Sequence, residues 1–145
     1  MLATRASAPR VTAILVALTT FCLGQETRSA PAGGKAAEAR KLSQQGYFTR
    51  AIALYRDAIA LDPDLADAHD GLISATRQAA DKTGGKSAVE AAIQKLETQY
   101  EEWARTDPRA TYYQVLSDLN MYRYYDKVER YAHKALEIDG KLPRA

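Results

Sequence analysis

The sequence predicts an all-α protein made of short helix pairs, and three observations predict it. Apolar residues recur at intervals of three and four across most of the chain. No stretch alternates apolar and polar residues as a strand would. Asp62, Asp107 and Asp139 each close a periodic segment, and the first two precede proline. Proline cannot donate a backbone hydrogen bond and pushes the residue before it out of the helical region, so helices stop there.

The elements follow in chain order. The first 25 residues contain no acid, and Arg5 and Arg10 precede an apolar run from Val11 to Gly24. That order is what a secretory signal peptide needs. The run spans roughly 21 Å as a helix, short of the ~30 Å hydrocarbon core, so no stable membrane span is expected from it. Residues 1–24 are therefore read as a signal peptide, cleaved after Gly24. A lipoprotein signal would want a small residue beside Cys22, where Phe21 stands, and the run is too concentrated for an amphipathic mitochondrial presequence. Residues 25–34, with Ala30 to Gly34 reading APAGG, are expected to form a flexible linker.

The helical domain is expected over 35–142, with helices at 35–46, 49–61, 66–80, 86–106, 109–122 and 126–138. In the second, Leu54, Tyr55, Ala58, Ile59 and Leu61 share a face. In the fourth, Val89, Ala92, Ile93, Leu96, Tyr100 and Trp103 make one stripe over five turns, with Glu101 and Arg105 as an i,i+4 pair opposite. Tyr112, Val115, Leu116 and Leu119 form the stripe of the fifth. Between the third and fourth, Gly84 and Gly85 are expected to open a turn and Ser87 to cap the helix that follows.

Two segments repeat. Phe48, Arg50, Ala51, Ala58, Ile59, Leu61 and Asp62 correspond to Tyr125, Lys127, Val128, Ala135, Leu136, Ile138 and Asp139, 77 residues later, and Leu42 corresponds to Leu119. Gly46, Phe48, Ala51, Tyr55, Ala58 and Asp62-Pro63 resemble the tetratricopeptide repeat in relative spacing, across three units from about Ala32 to Leu142. The middle unit carries about ten extra residues, in the 81–92 insertion. The resemblance implies a short right-handed superhelix of antiparallel helix pairs, with small residues such as Ala51, Ala58, Ala132 and Ala135 where helices cross. It also implies a concave groove lined by the first helix of each pair. Mapped here, that groove presents Arg40, Ser43 and Gln44, then Asp70, Ser74, Arg77 and Gln78, then Tyr113, Ser117 and Asn120, with Met121 beside them. Ala36 and Arg40 depart from the family's Lys/Asn set for chaperone carboxylates, so that specificity is not expected.

Composition narrows the partners. Apolar residues make up 46% and charged residues 26%, which suits a folded domain rather than a disordered one. Without Arg5 and Arg10 the remaining 18 basic and 18 acidic residues cancel, so no nucleic acid or anionic lipid is implied. The single cysteine lies in the leader, which leaves the domain without a disulfide framework, a Cys-based zinc site or a cysteine nucleophile.

Gly85-Lys86-Ser87 imitates the end of a phosphate loop, but Ala80 stands where its first glycine belongs and a helix precedes it instead of a strand. His69 and His133 are 64 residues apart in no metal-ligand pattern; His69 is expected to pack between helices and His133 to face water. Asp62, Asp64, Asp67 and Asp70 lack the alternating ligands and distant glutamate of a calcium loop. No catalytic residue, cofactor or metal is expected. The expected function is an exported, non-enzymatic module binding a peptide or partner helix. The competing readings are a self-assembling scaffold, a piece of a longer repeat protein, since 140–145 are too short to cap the last pair and Leu142-Pro143-Arg144-Ala145 resembles the start of another repeat, and an enzyme or small-molecule binder with its site in the Lys82–Lys86 insertion.

Overall fold

The computed structural model describes residues 30–121 and 123–140. Among them every regular element is a helix: α1 at 30–44, α2 at Phe48–Leu61, α3 at Ala66–Thr106, α4 at Ala110–Asn120 and α5 at Tyr125–Asp139. No described helix is long and apolar enough to cross a membrane. The proposed leader and the segment 141–145 lie outside the described residues.

The Asp-Pro stops act as their chemistry requires. Asp62 and Asp107 adopt nearly the same extended backbone, φ −138°, ψ 93° and φ −137°, ψ 90°. Each N–H still closes the last helical turn, on the Ala58 carbonyl at 2.9 Å and the Trp103 carbonyl at 2.8 Å. The two turns are then tied to each other. Arg109 donates to Asp64 at 2.7 Å and to Asp107 at 2.6 Å, and the Thr111 hydroxyl donates to the other Asp64 oxygen at 3.0 Å.

α3 is not straight. Gly85 has φ 62°, ψ −149°, a backbone open in practice to glycine alone. The chain folds back there. His69 and Tyr100 are 31 residues apart, which a straight helix would hold about 46 Å apart, yet their side chains hydrogen-bond at 2.7 Å. α3 thus has an N-terminal arm, 66–84, and a C-terminal arm, 86–106. Gly84 has its own reason, since a Cβ there would lie 2.8 Å from that of Ala88.

Neighbours in sequence are neighbours in space: α2 packs on α3, α3 on α4, and α4 on α5. The core begins as an alanine layer, with Ala32 and Ala39 of α1 and Ala51 and Ala58 of α2 fully buried. Such short side chains let helix axes come close. It continues through Leu72, Ala75, Leu96 and Leu116 into an aromatic cluster. In that cluster Tyr100 meets Trp103 edge-on at 4.9 Å and Tyr112 at 6.0 Å. α5 reaches the C-terminal arm of α3 through long side chains: Lys127 donates to the buried Glu97 at 2.6 Å, and the Tyr131 hydroxyl donates to Glu101.

Several sequence expectations are corrected. Residues 30–34, expected in the linker, are the first turns of α1, because Ala32 is buried in the alanine layer. Ser87 does not cap: the helix resumes directly after Gly85, which takes the cap position itself and leaves Ser87 inside the first turn. Glu101 is engaged by Tyr131, so Arg105 approaches Glu102 instead, at 3.9 Å. Leu61 closes α2 41% exposed rather than in the core.

Gly71 is a close approach that no periodicity announces. A Cβ on it would sit 2.2 Å from two ring carbons of Tyr55, itself only 3% exposed. Alanine normally favours a helix over glycine by about 1 kcal/mol. Here Gly71→Ala is expected to lower stability by about 1–3 kcal/mol, because the buried ring must shift. Urea denaturation checks this; a stabilised variant would show that Tyr55 has room to move.

Candidate functional site

Two clefts share one wall. The larger, about 680 Å³, lies between the arms of α3 and the end of α4; the smaller, about 400 Å³, lies between α1 and the N-terminal arm of α3. Asp70, Ser74 and Gln78, spaced four residues apart on the N-terminal arm, line both, so the clefts form one groove crossing the helices. The floor of the larger cleft is apolar, with Ile73, Val89, Ile93 and Leu119. Its rim holds Asp70, Glu90 and Asp118 against Arg77, Lys86 and Arg123. Among the described residues none of these six forms an ion pair. By contrast, Arg40 in the smaller cleft is already paired with Asp67 at 2.9 Å.

Seven of the ten groove residues expected from sequence are brought together here: Arg40, Ser43, Gln44, Asp70, Ser74, Arg77 and Gln78. The other three are not. Tyr113 stacks on Tyr131 of α5 with ring centroids 6.4 Å apart, and Lys134 caps its ring at 5.3 Å. Ser117 points its hydroxyl at the Val128 carbonyl, and Asn120 is fully buried, donating to the Leu116 carbonyl at 2.8 Å. The cause is that α4 is a middle helix. Tyr112, Val115, Leu116 and Leu119 form its main apolar stripe, and the stripe through Tyr113, Ser117 and Asn120 turns toward α5. Of the third stripe, Gln114 and Asp118 stay exposed, while Thr111 is half-buried and bonded to Asp64. Asp118 is the groove residue of α4 that sequence reasoning missed, with Lys86 and Glu90 from the C-terminal arm of α3. The signal was there, since these three polar residues flank the apolar Val89, Ile93 and Leu119. Met121 is 41% exposed and lines neither cleft.

Comparison with protein-family models, with curated proteins and with solved structures finds no match.

The electrostatics of the groove are unbalanced locally. Partial burial pushes the Asp118 carboxyl above the usual carboxylate range, and Asp70 pushes it further in the same direction. No cation features among the causes of that shift. Nη1 of Arg123, which lines the same cleft, is buried without a hydrogen-bond partner. The remaining acids of the 62–70 cluster are occupied. Asp62 accepts the Asp64 N–H at 3.2 Å, Asp64 bonds Arg109 and Thr111, and Asp67 pairs with Arg40. No group of three His, Cys, Asp or Glu side chains among the described residues is placed to hold a metal.

His69 lies behind the groove rather than in it, 1% exposed. Nε2 sits 2.8 Å from the Pro63 carbonyl, which can only accept, so Nε2 carries the proton. Nδ1 then accepts from the Tyr100 hydroxyl at 2.7 Å, whose own proton burial holds firmly in place. The ring also meets Tyr112 edge-on at 5.8 Å. Burial lowers its pKa, against opposing pulls from the Pro63 carbonyl and from Asp70, Asp64 and Asp62. His133, by contrast, is exposed on α5, as expected.

The sign for stability follows. The folded state holds His69 neutral, so below the ordinary imidazole value of 6.5 the unfolded chain takes up a proton more readily than the folded one. The contribution of His69 is complete above pH 6.5 and declines as pH falls below it. Urea denaturation between pH 7.5 and 5 is expected to show that decline. His69→Gln is expected to be less stable at pH 7.5 by about 1–3 kcal/mol, from unsatisfied buried partners, and to have a flatter profile. An equally steep profile in the variant would place the titrating group elsewhere.

Proposed function

We propose that this chain is a non-enzymatic, exported protein-interaction module of tetratricopeptide type, holding a partner helix or peptide in the groove across α1, α3 and α4. The observation that carries the reading is the groove itself. It joins an apolar floor to a charged rim whose six charges find no ion-pair partner within the described molecule. Apolar contact gives affinity to such a surface, while charges on its rim select the partner. Helix pairs packed in sequence order, small residues at their crossings and Asp-Pro stops support the family reading. Export rests on the leader pattern of Arg5, Arg10 and the apolar run to Gly24.

A second reading has its own observation. Met121, Tyr124 and Tyr125 expose apolar surface at the turn between α4 and α5, and Tyr125 is 82% exposed. Exposed aromatic patches of this kind mark interfaces. On this reading the chain is a scaffold component that associates with further copies through that end, which borders the groove at Arg123.

Ser74 is exposed and lies on the wall shared by both clefts, so Ser74→Arg should fill the groove without disturbing the core. Peptides selected from a random display library on the full chain are expected to bind the variant at least about tenfold more weakly, with helical circular dichroism unchanged. Binders indifferent to the substitution would place the interaction surface outside the groove.

A further inference from the structure

The larger cleft has a polarity that specifies its occupant. Asp70 and Arg77 lie on the same wall, seven residues or two turns apart, which is about 10 Å along the axis. At the Asp70 end, Asp118 adds a second carboxylate and neither acid is ion-paired among the described residues. Arg77 closes the other end of that wall, and Arg123, five residues beyond Asp118 in the chain, adds to the cleft a guanidinium with one buried, unpartnered nitrogen. Apolar side chains floor the space between.

The occupant's backbone must also be satisfied. The walls are helices whose own N–H and C=O groups bond internally, and Gln78 is already engaged with Ser74 at 3.0 Å. An extended segment would leave backbone donors and acceptors against an apolar floor, which is costly. A helix carries its backbone hydrogen bonds with it.

We propose that the larger cleft recognises an amphipathic partner helix running antiparallel to the N-terminal arm of α3. That helix carries a Glu or Asp at i, apolar residues at i+3 and i+4, and a Lys or Arg at i+7. The acid meets Arg77 and Arg123, the apolar pair covers Ile73 and Leu119, and the cation enters between Asp70 and Asp118. In this direction the partner's acid lies toward its N-terminus and its base toward its C-terminus, which its own helix dipole favours. This proposal rests on the groove-binding reading above and adds the charge register to it.

The test uses the full chain and a hydrocarbon-stapled helical peptide with Glu at i, Leu at i+3 and i+4, and Lys at i+7. Companion peptides carry Gln in place of the Glu, the Lys or both, and binding is read by fluorescence anisotropy. Each single Gln peptide is expected to bind about fivefold more weakly than the charged one. The loss from Lys to Gln should shrink in Asp70→Asn and vanish when Asp118→Asn is added, and the loss from Glu to Gln should shrink in Arg77→Gln and vanish when Arg123→Gln is added, since the pairing groups are then gone. Equal affinity of the charged and doubly neutral peptides for the unaltered chain would overturn the register while leaving the groove in place. Failure of all four peptides to bind, while library-selected peptides still depend on Ser74, would also overturn the register alone. Selected peptides that ignore Ser74→Arg would remove the groove reading and this proposal together.

Discussion

Gly85 is the residue on which the arrangement turns. Its φ of 62° and ψ of −149° are the only non-helical backbone angles within residues 66–106; with helical angles there the segment would be one rod. One residue with a positive φ converts that rod into two facing arms. The conversion creates the His69–Tyr100 contact, the site where Tyr112 of α4 docks, and the V-shaped space that becomes the larger cleft. Because a single backbone conformation sets the arm geometry, the groove is walled by helices rather than by loops.

Polar contacts around this hairpin then fix what apolar packing alone would leave adjustable. His69 joins the turn after α2 to both arms, with both ring nitrogens engaged and its charge suppressed by burial. Arg109 and Thr111 hold the second Asp-Pro turn against the first through Asp64. Lys127 and Tyr131 carry the tie on to α5 through Glu97 and Glu101. Apart from the bond to Pro63, each of these contacts joins residues at least 30 positions apart. Such ties set helix register where alanine layers and aliphatic stripes would tolerate sliding.

Much of this was legible in the sequence, and the rest was hidden for identifiable reasons. Helix ends at Asp62 and Asp107 are readable because proline acts on its immediate neighbour. The stripe of Asp70, Ser74, Arg77 and Gln78 is readable because it is polar along one helix face. Tyr113, Ser117 and Asn120 were misplaced because a helix with neighbours on two sides buries two stripes, and periodicity reports only the more apolar one. The pairing of Asp64 with Arg109 and the contact of Tyr55 with Gly71 depend on how distant segments meet. Residues 30–34 looked like a linker from their Ala, Pro and Gly content, yet small residues are also what a close helix crossing requires.

Gly85 offers the most direct test of the account. Its backbone angles are the mirror image of an ordinary polyproline conformation for an L-residue, so they are comfortable for D-alanine and strained for L-alanine. Semisynthesis can replace Gly85 by either enantiomer, with spin labels at Ala66 and Arg105 after Cys22 is replaced by serine. Double electron–electron resonance then reads the distance between the ends of the two arms. The D-alanine variant should keep that distance within about 20 Å, whereas the L-alanine variant should lengthen it toward the roughly 58 Å of a continuous helix or abolish the fold. A short distance and unchanged melting with L-alanine would contradict the claim that this one backbone conformation folds the chain back.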